Sequence, residues 1–251
     1  MWIDAHNHLQ FAPAFKIQIN TSVEAAVVNA TTEADWPRIK ELADQYEWVH
    51  PAFGLHPWFL SQRTSSWKKT LWHFLNIKRA SVGEIGLDLS MKNPDFSTQQ
   101  DVFNWQLVLA TERNLPVTIH CVKAFGPLLK ILRHSSLPAN GFLLHAFAGS
   151  TETAKECADL GAYFSYSPIF LQERNVRNRE VFRQLPLERL LVETDEPKMN
   201  SHNRISTEMA PSVTKLATCY ENLAKLRDIS IETLIDVVHK NFTRIFGAQT
   251  N

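Results

Sequence analysis

The stretch Trp2-Ile3-Asp4-Ala5-His6-Asn7-His8-Leu9 opens the chain with a short apolar run that leads into two histidines separated by one residue. Read as a β-strand, its side-chain period of two puts His6 and His8 on one face. Neutral imidazole is the commonest protein ligand for a catalytic divalent ion, and a strand end holds two rings at a fixed spacing. A His-x-His pair by itself also fits histidines that only find hydrogen bonds. Its meaning therefore depends on what the remaining chain brings to the same place.

Downstream, one unit recurs. Residues 24–30 (EAAVVNA) read as a buried strand, and 32–47 as an amphipathic helix with Trp36, Ile39, Leu42, Ala43 and Tyr46 on one side. Strands over 48–55, 80–87, 116–121, 141–146, 162–167 and 189–195 alternate with helices over 67–77, 97–113, 125–134, 151–160 and 179–185. Two helices, 212–227 and 230–246, finish the chain. Asn114-Leu115-Pro116 closes the helix before the fifth strand, since the residue ahead of a proline avoids helical backbone. The count is about eight strand-then-helix units, with no composition break to divide them.

This pattern predicts a single α/β domain over residues 1–251 that closes as a (β/α)8 TIM barrel. An open doubly wound sheet is the competing closure. No glycine-rich phosphate loop follows the first strand, however, and the chain holds only 8 glycines. In a barrel the active site lies at the carboxyl ends of the strands. His6 and His8 on the first strand, Glu84 on the fourth, His120 on the fifth, His145 on the sixth and Asp195 on the eighth all fall there. This nitrogen and oxygen donor set, with no sulfur, suits Zn²⁺, Mn²⁺ or Mg²⁺. It is large enough for two ions sharing a carboxylate, with Glu84 as the bridge.

Composition narrows the partners. The 26 basic and 26 acidic residues cancel, so no overall positive field draws the chain to nucleic acid or an anionic membrane. Cys121, Cys157 and Cys219 are odd in number and widely spaced, which argues against a disulfide framework or a cysteine zinc site. Charged and polar residues interrupt every apolar run short of a membrane span. The expectation is a cytoplasmic protein with no obligate protein partner.

The chain resembles the TatD family of metal-dependent hydrolases in the amidohydrolase superfamily. The matching stretches run from end to end: DAHNHL (4–9), FGLHPW (53–58), VGEIGLD (82–88), LPVTIHC (115–121), LLHAFAG (143–149), FSYSP (164–168), LLVETDEP (190–197) and NFTRIFG (241–247). The resemblance implies a metal set of His6, His8, Glu84, His120, His145 and Asp195, holding two divalent ions per subunit (Zn, Mg or Mn). It also implies deoxyribonuclease or other phosphodiesterase chemistry, in which water activated by the ions attacks phosphorus. Asp195 would serve as ligand and general base, and Glu84 as the catalytic bridge.

Further residues have expected supporting parts. Glu193 lies two positions before Asp195 and is expected deeper in the barrel, holding a ligand imidazole in its tautomer. His56, at the end of the third strand, is a candidate contact for substrate or phosphate, and Asp88 for orienting the site or capping a loop. Lys123, Arg174, Lys198, His202 and Arg204 fall in predicted loops on the site's side and are candidate phosphate contacts. Leu89-Ser90 and Pro197-Lys198-Met199 stand where family members often carry an aromatic residue and a Pro-Tyr pair, which points to a different substrate pocket. A near-zero net charge fits a DNA end or single strand better than a long duplex footprint. Two other readings share the ligand set. One is a deacylase-like ester or amide hydrolase, and the other is a non-catalytic metal-binding barrel.

Overall fold

The computed structural model describes residues 1–12, 22–197 and 212–247. Within them the apolar runs form β1 (Trp2–Asn7), β2 (Val23–Asn29), β3 (Val49–Phe53), β4 (Ser81–Asp88), β5 (Val117–Val122), β6 (Phe142–Leu144), β7 (Ala162–Tyr166) and β8 (Leu190–Val192). The helices are α1 (Trp36–Gln45), α2 (Trp67–Phe74), α3 (Phe96–Glu112), α4 (Phe125–His134), α5 (Thr151–Asp159), α6 (Val176–Gln184), α7 (Val213–Arg227) and α8 (Ile231–Phe246). Each strand pairs in parallel with the next, in the order β1 to β8. The architecture is the (β/α)8 TIM barrel expected from the alternation of strands and helices.

The seam between β8 and β1 is closed by residues just past β8. The Asp195 N–H donates to the His6 carbonyl at 3.0 Å, and the His8 N–H donates to the Glu196 carbonyl at 2.8 Å. Below them the buried Asp4 carboxylate accepts from the Thr194 N–H at 2.9 Å and the Thr194 hydroxyl at 2.7 Å. Closure of the barrel and placement of Asp195 beside His6 and His8 are thus the same set of bonds.

β4 is buried at every position, as a strand at the centre of a two-sided core must be. Outside the sheet, Trp36, Ile39 and Leu42 of α1 and Leu234, Val238, Phe242 and Ile245 of α8 turn their helical stripes inward and are buried. Each such large apolar side chain contributes about 1.5–3 kcal/mol by leaving water. Caps start several helices where the chain turns back from the mouth of the barrel. Asp95 Oδ1 accepts the Thr98 N–H at 3.1 Å ahead of α3, and Ser150 Oγ accepts the Thr153 N–H at 3.2 Å ahead of α5.

Some boundaries differ from expectation for local reasons. The helix expected over 32–47 begins as a single 3-10 turn (Glu33–Asp35) before α1. The Asp35 carboxylate accepts the Thr31 and Thr32 N–H groups there, at 2.7 and 3.0 Å, and Pro37 suits only a first helical turn. β8 spans three residues rather than the expected seven, because after the Glu193 N–H bonds the Tyr166 carbonyl at 3.1 Å the backbone crosses toward β1. Asp195 adopts φ 53 at that crossing, a left-handed conformation that Asp tolerates better than most residues.

Candidate metal centre

Strand ends and the residues just beyond them carry the candidate site. His6 and Glu84 lie within β1 and β4, and His120 within β5. His8, His145 and Asp195, expected on strands, lie one, one and three residues past β1, β6 and β8. His8 therefore reaches the site from a turn. Its ring stands perpendicular to that of His6, with centroids 5.0 Å apart, instead of side by side along one strand face. Ala146, Lys123 and Asp195 all take positive φ just after β6, β5 and β8. Such backbone costs about 1 kcal/mol or more per residue and concentrates where side chains must be aimed.

The two oxygens of Glu84 face different groups. Oε2 lies 3.3 Å from His6 Nε2 and 3.5 Å from His8 Nε2, and both of these nitrogens are 3.7 Å from Asp195 Oδ1. Oε1 lies 2.9 Å from His120 Nδ1, 2.8 Å from His145 Nε2 and 3.3 Å from His56 Nε2. The trios His6/His8/Asp195, His6/Glu84/His145 and His56/Glu84/His120 each bring one donor atom apiece to within 4.8 Å of one another. All six ligands expected from the sequence converge.

For His8, His120 and His56, a hydrogen bond on the far side of the ring decides which nitrogen presents a lone pair. His8 Nδ1 sits 2.9 Å from the Asn29 carbonyl, which can only accept, so Nδ1 carries the proton and Nε2 is open toward Glu84. His120 Nε2 is 2.8 Å from Asp88 Oδ2, which leaves Nδ1 facing inward. His145 Nδ1 faces Glu193 Oε1 at 3.5 Å, and Ser165 Oγ donates to the other oxygen of Glu193. Glu193 is thus deep in the barrel behind a site imidazole, where the sequence spacing put it. His56 is the exception. Its Nδ1 accepts the Trp58 N–H at 3.1 Å, so the proton lies on Nε2, the atom that points at Glu84. His56 therefore offers the site a hydrogen-bond donor rather than a lone pair, despite its place in one of the donor trios.

The residues fit divalent ions. The donors are imidazole nitrogens and carboxylate oxygens, and second carboxylates or carbonyls stand behind three of the four inward lone pairs. Among the described residues, moreover, the fully buried His6 ring has no hydrogen-bond partner for either nitrogen. Burial, reinforced by His145, holds the His6 pKa well below the usual imidazole range, so the ring is a neutral donor. Burial would raise Glu84, but its electrostatic interaction with the surrounding imidazoles, His145 first, outweighs it and holds the carboxyl well below its usual range. Burial opposes protonation of His145, yet Glu84 and Glu193 draw a proton onto it and raise its pKa well above normal. A cation in this position would replace that proton.

Asp88, a candidate for orienting the site or capping a loop, has contacts of both kinds. It orients His120, and its Oδ1 accepts the Ser90 N–H at 2.6 Å, closing the turn after β4. Burial acts to raise it, but the His120 and Ser90 bonds prevail and lower its pKa to about 2. Lys123 and Arg174 are exposed in the segments that follow β5 and β7. Lys198, His202 and Arg204 lie outside the described residues.

A model of the family described as "TatD related DNase" matches residues 3–247. This chain belongs to the TatD family. Among its TatD relatives, the uncharacterized metal-dependent hydrolase YabD of Bacillus subtilis is 29% identical, over 98% of this chain and 99% of that protein. Human TATDN3, named a deoxyribonuclease, is 28% identical over 97% of this chain and 94% of its own length. The crystal structure of the TatD homologue YjjV from Escherichia coli superposes with a TM-score of 0.87 at 29% identity, covering 98% of each chain. The chain is accordingly a TatD-family metal-dependent hydrolase. Sequence reading passed over Asp4, although it sits two residues before His6 and so shares that residue's strand face. It also passed over Trp58, whose indole N–H donates to Asp88 Oδ2 at 2.8 Å, and over the ion pair of Glu196 with Lys215 beside the seam.

Proposed function

We propose that this protein is a divalent-metal-dependent phosphodiesterase acting on DNA, at an end or a single strand. The observation that carries the reading is the division of Glu84, with one oxygen toward His6, His8 and Asp195 and the other toward His120 and His145. That arrangement suits two ions, Zn, Mg or Mn, held on either side of one carboxylate. Bound there, the ions supply positive charge that polarises a phosphoryl oxygen and lowers the pKa of water. The name of the human relative supports a DNA substrate.

The chain's own residues account for the rest. Asp195, whose Oδ1 faces His6 and His8, accepts the proton of the attacking water as general base. His56 directs its Nε2 proton at the centre of the cluster and donates it in a hydrogen bond to a non-bridging phosphate oxygen. Burial, the largest influence, lowers its pKa to about 4, so it remains a neutral donor through the physiological range. Asp88 and Glu193 hold His120 and His145 in the required tautomers. Three free cysteines, two of them buried, fit a reducing, cytoplasmic setting.

The test is to load the purified protein with each metal in turn and assay labelled single- and double-stranded oligonucleotides beside a panel of carboxyl esters and amides. Oligonucleotide cleavage is expected. Asp195→Asn should keep the far-ultraviolet circular dichroism of the native protein and lose turnover by about 10²- to 10⁴-fold. Intact oligonucleotides in every metal, with an ester or amide cleaved, would overturn the nuclease reading.

A further inference from the structure

The cleft walled by His8, His56, Trp58, Glu84, His120, His145 and Asp195 has a volume of about 90 Å³. Sites that enclose a whole ligand are typically several hundred Å³. Those seven walls leave room for the reacting group, and what is attached to it must rest on the rim. Six of the seven are the imidazoles and carboxylates already given parts above. Trp58 is the exception, a half-buried indole with no lone pair to give an ion and no titrating proton.

Its position is firmly held. Trp58 follows β3 in the 3-10 turn Pro57–Gln62, where its backbone N–H is bonded to His56 Nδ1 at 3.1 Å. Its indole Nε1 donates to Asp88 Oδ2 at 2.8 Å, the same oxygen that receives His120 Nε2 at 2.8 Å. The ring meets His56 edge-to-face at a centroid distance of 4.9 Å and His120 at 6.0 Å. Both the backbone and the polar edge are therefore tied to residues of the cluster. An aromatic ring ordered before binding loses little freedom when a second flat ring packs on it.

We infer that Trp58 is the platform on which the nucleobase next to the scissile phosphate stacks. This rests on the DNA reading above and deepens it. Stacking on one indole is tolerant of base identity, because every base has a π face. The inference therefore assigns the enzyme a preference for nucleotides that carry a base at that position, with little preference among the bases. The shared oxygen of Asp88 gives the platform a fixed distance from His120, so the stacked base and the scissile phosphate are placed from a single anchor.

Two variants and two substrates test it. Trp58→Leu removes the ring face and the indole N–H, whereas Trp58→Phe keeps a smaller aromatic face and removes the N–H. Each is assayed with the wild type, in the metal that supports cleavage, on an oligonucleotide and on its counterpart with an abasic residue flanking the scissile phosphate. For the wild type, KM should be about 5- to 100-fold higher on the abasic substrate. Trp58→Leu should raise KM on the intact substrate by a similar factor and leave the abasic KM unchanged, erasing the difference. Trp58→Phe should preserve most of it, with any fall in kcat from the freed Asp88 equal on the two substrates. If the wild type cleaves both substrates with one KM, or if Trp58→Leu weakens both alike, the stacking assignment is wrong and the nuclease reading stands. If no oligonucleotide is cleaved in any metal, both fall together.

Discussion

At the scale of single residues, the side of each imidazole facing away from the centre matters as much as the side facing it. His8 and His120 each present a lone pair because an acceptor is bonded to the other nitrogen, His145 Nδ1 faces Glu193 Oε1 at 3.5 Å, and His56 presents a proton because a donor is bonded to its other nitrogen. Asp88→Asn tests this directly. An amide that turns its NH₂ toward His120 Nε2 offers a donor where the ring has its own proton, favouring the wrong tautomer and leaving Nδ1 without a lone pair. Metal affinity at the side of the centre that includes His120 should fall about 10- to 100-fold, measured by competition with a chromophoric chelator, while the other side keeps its affinity. Residue types and spacing identified the six convergent side chains. They could not identify tautomers, which depend on partners from other strands, such as the Asn29 carbonyl on β2.

At the scale of elements, the site depends on how closely β4 and β5 approach. Gly86 pairs with His120 across that ladder at φ 153, and a Cβ built on it would lie 1.9 Å from the His120 carbonyl oxygen. Gly86→Ala must therefore push the two strands apart at the position of a site imidazole. The expected cost is about 1–3 kcal/mol or more of stability, read from urea denaturation midpoints, together with weakened metal binding. The glycine itself was visible in VGEIGLD, but the reason for it was not, since the neighbour that excludes a side chain is 34 residues downstream. The lengths of β6 and β8 were overestimated for a related reason. Apolar runs mark what is buried, and backbone pairing ends sooner, where the chain bends across the mouth of the barrel.

At the scale of the whole molecule, stability should carry a signature of a half-buried histidine. His50 on β3 packs edge-to-face on Phe242 of α8, with ring centroids 5.1 Å apart, and burial, aided by Arg79, lowers its pKa to about 4. The unfolded chain takes up this proton near pH 6.5 and the folded chain only near 4, so the stabilising contribution is complete above about 6.5 and is lost as pH falls to 4. The loss attributable to this one group is about 3 kcal/mol. His6 and His56 shift in the same direction and His120 and His145 in the opposite one, so the wild-type slope is a sum. His50→Gln isolates the term, and its unfolding free energy should fall less steeply than that of the wild type between pH 6.5 and 4; parallel slopes would refute it. By itself the sequence determined the barrel and the identity of the convergent donors, because alternating apolar periods dictate strand-helix units and a parallel barrel gathers its strand ends at one mouth. Only the tertiary structure decided which Glu84 oxygen meets which histidines, which imidazoles can give a lone pair, and that Trp58 shares an anchor with His120. Those outcomes depend on ångström distances between residues tens of positions apart, and neither periodicity nor composition encodes them.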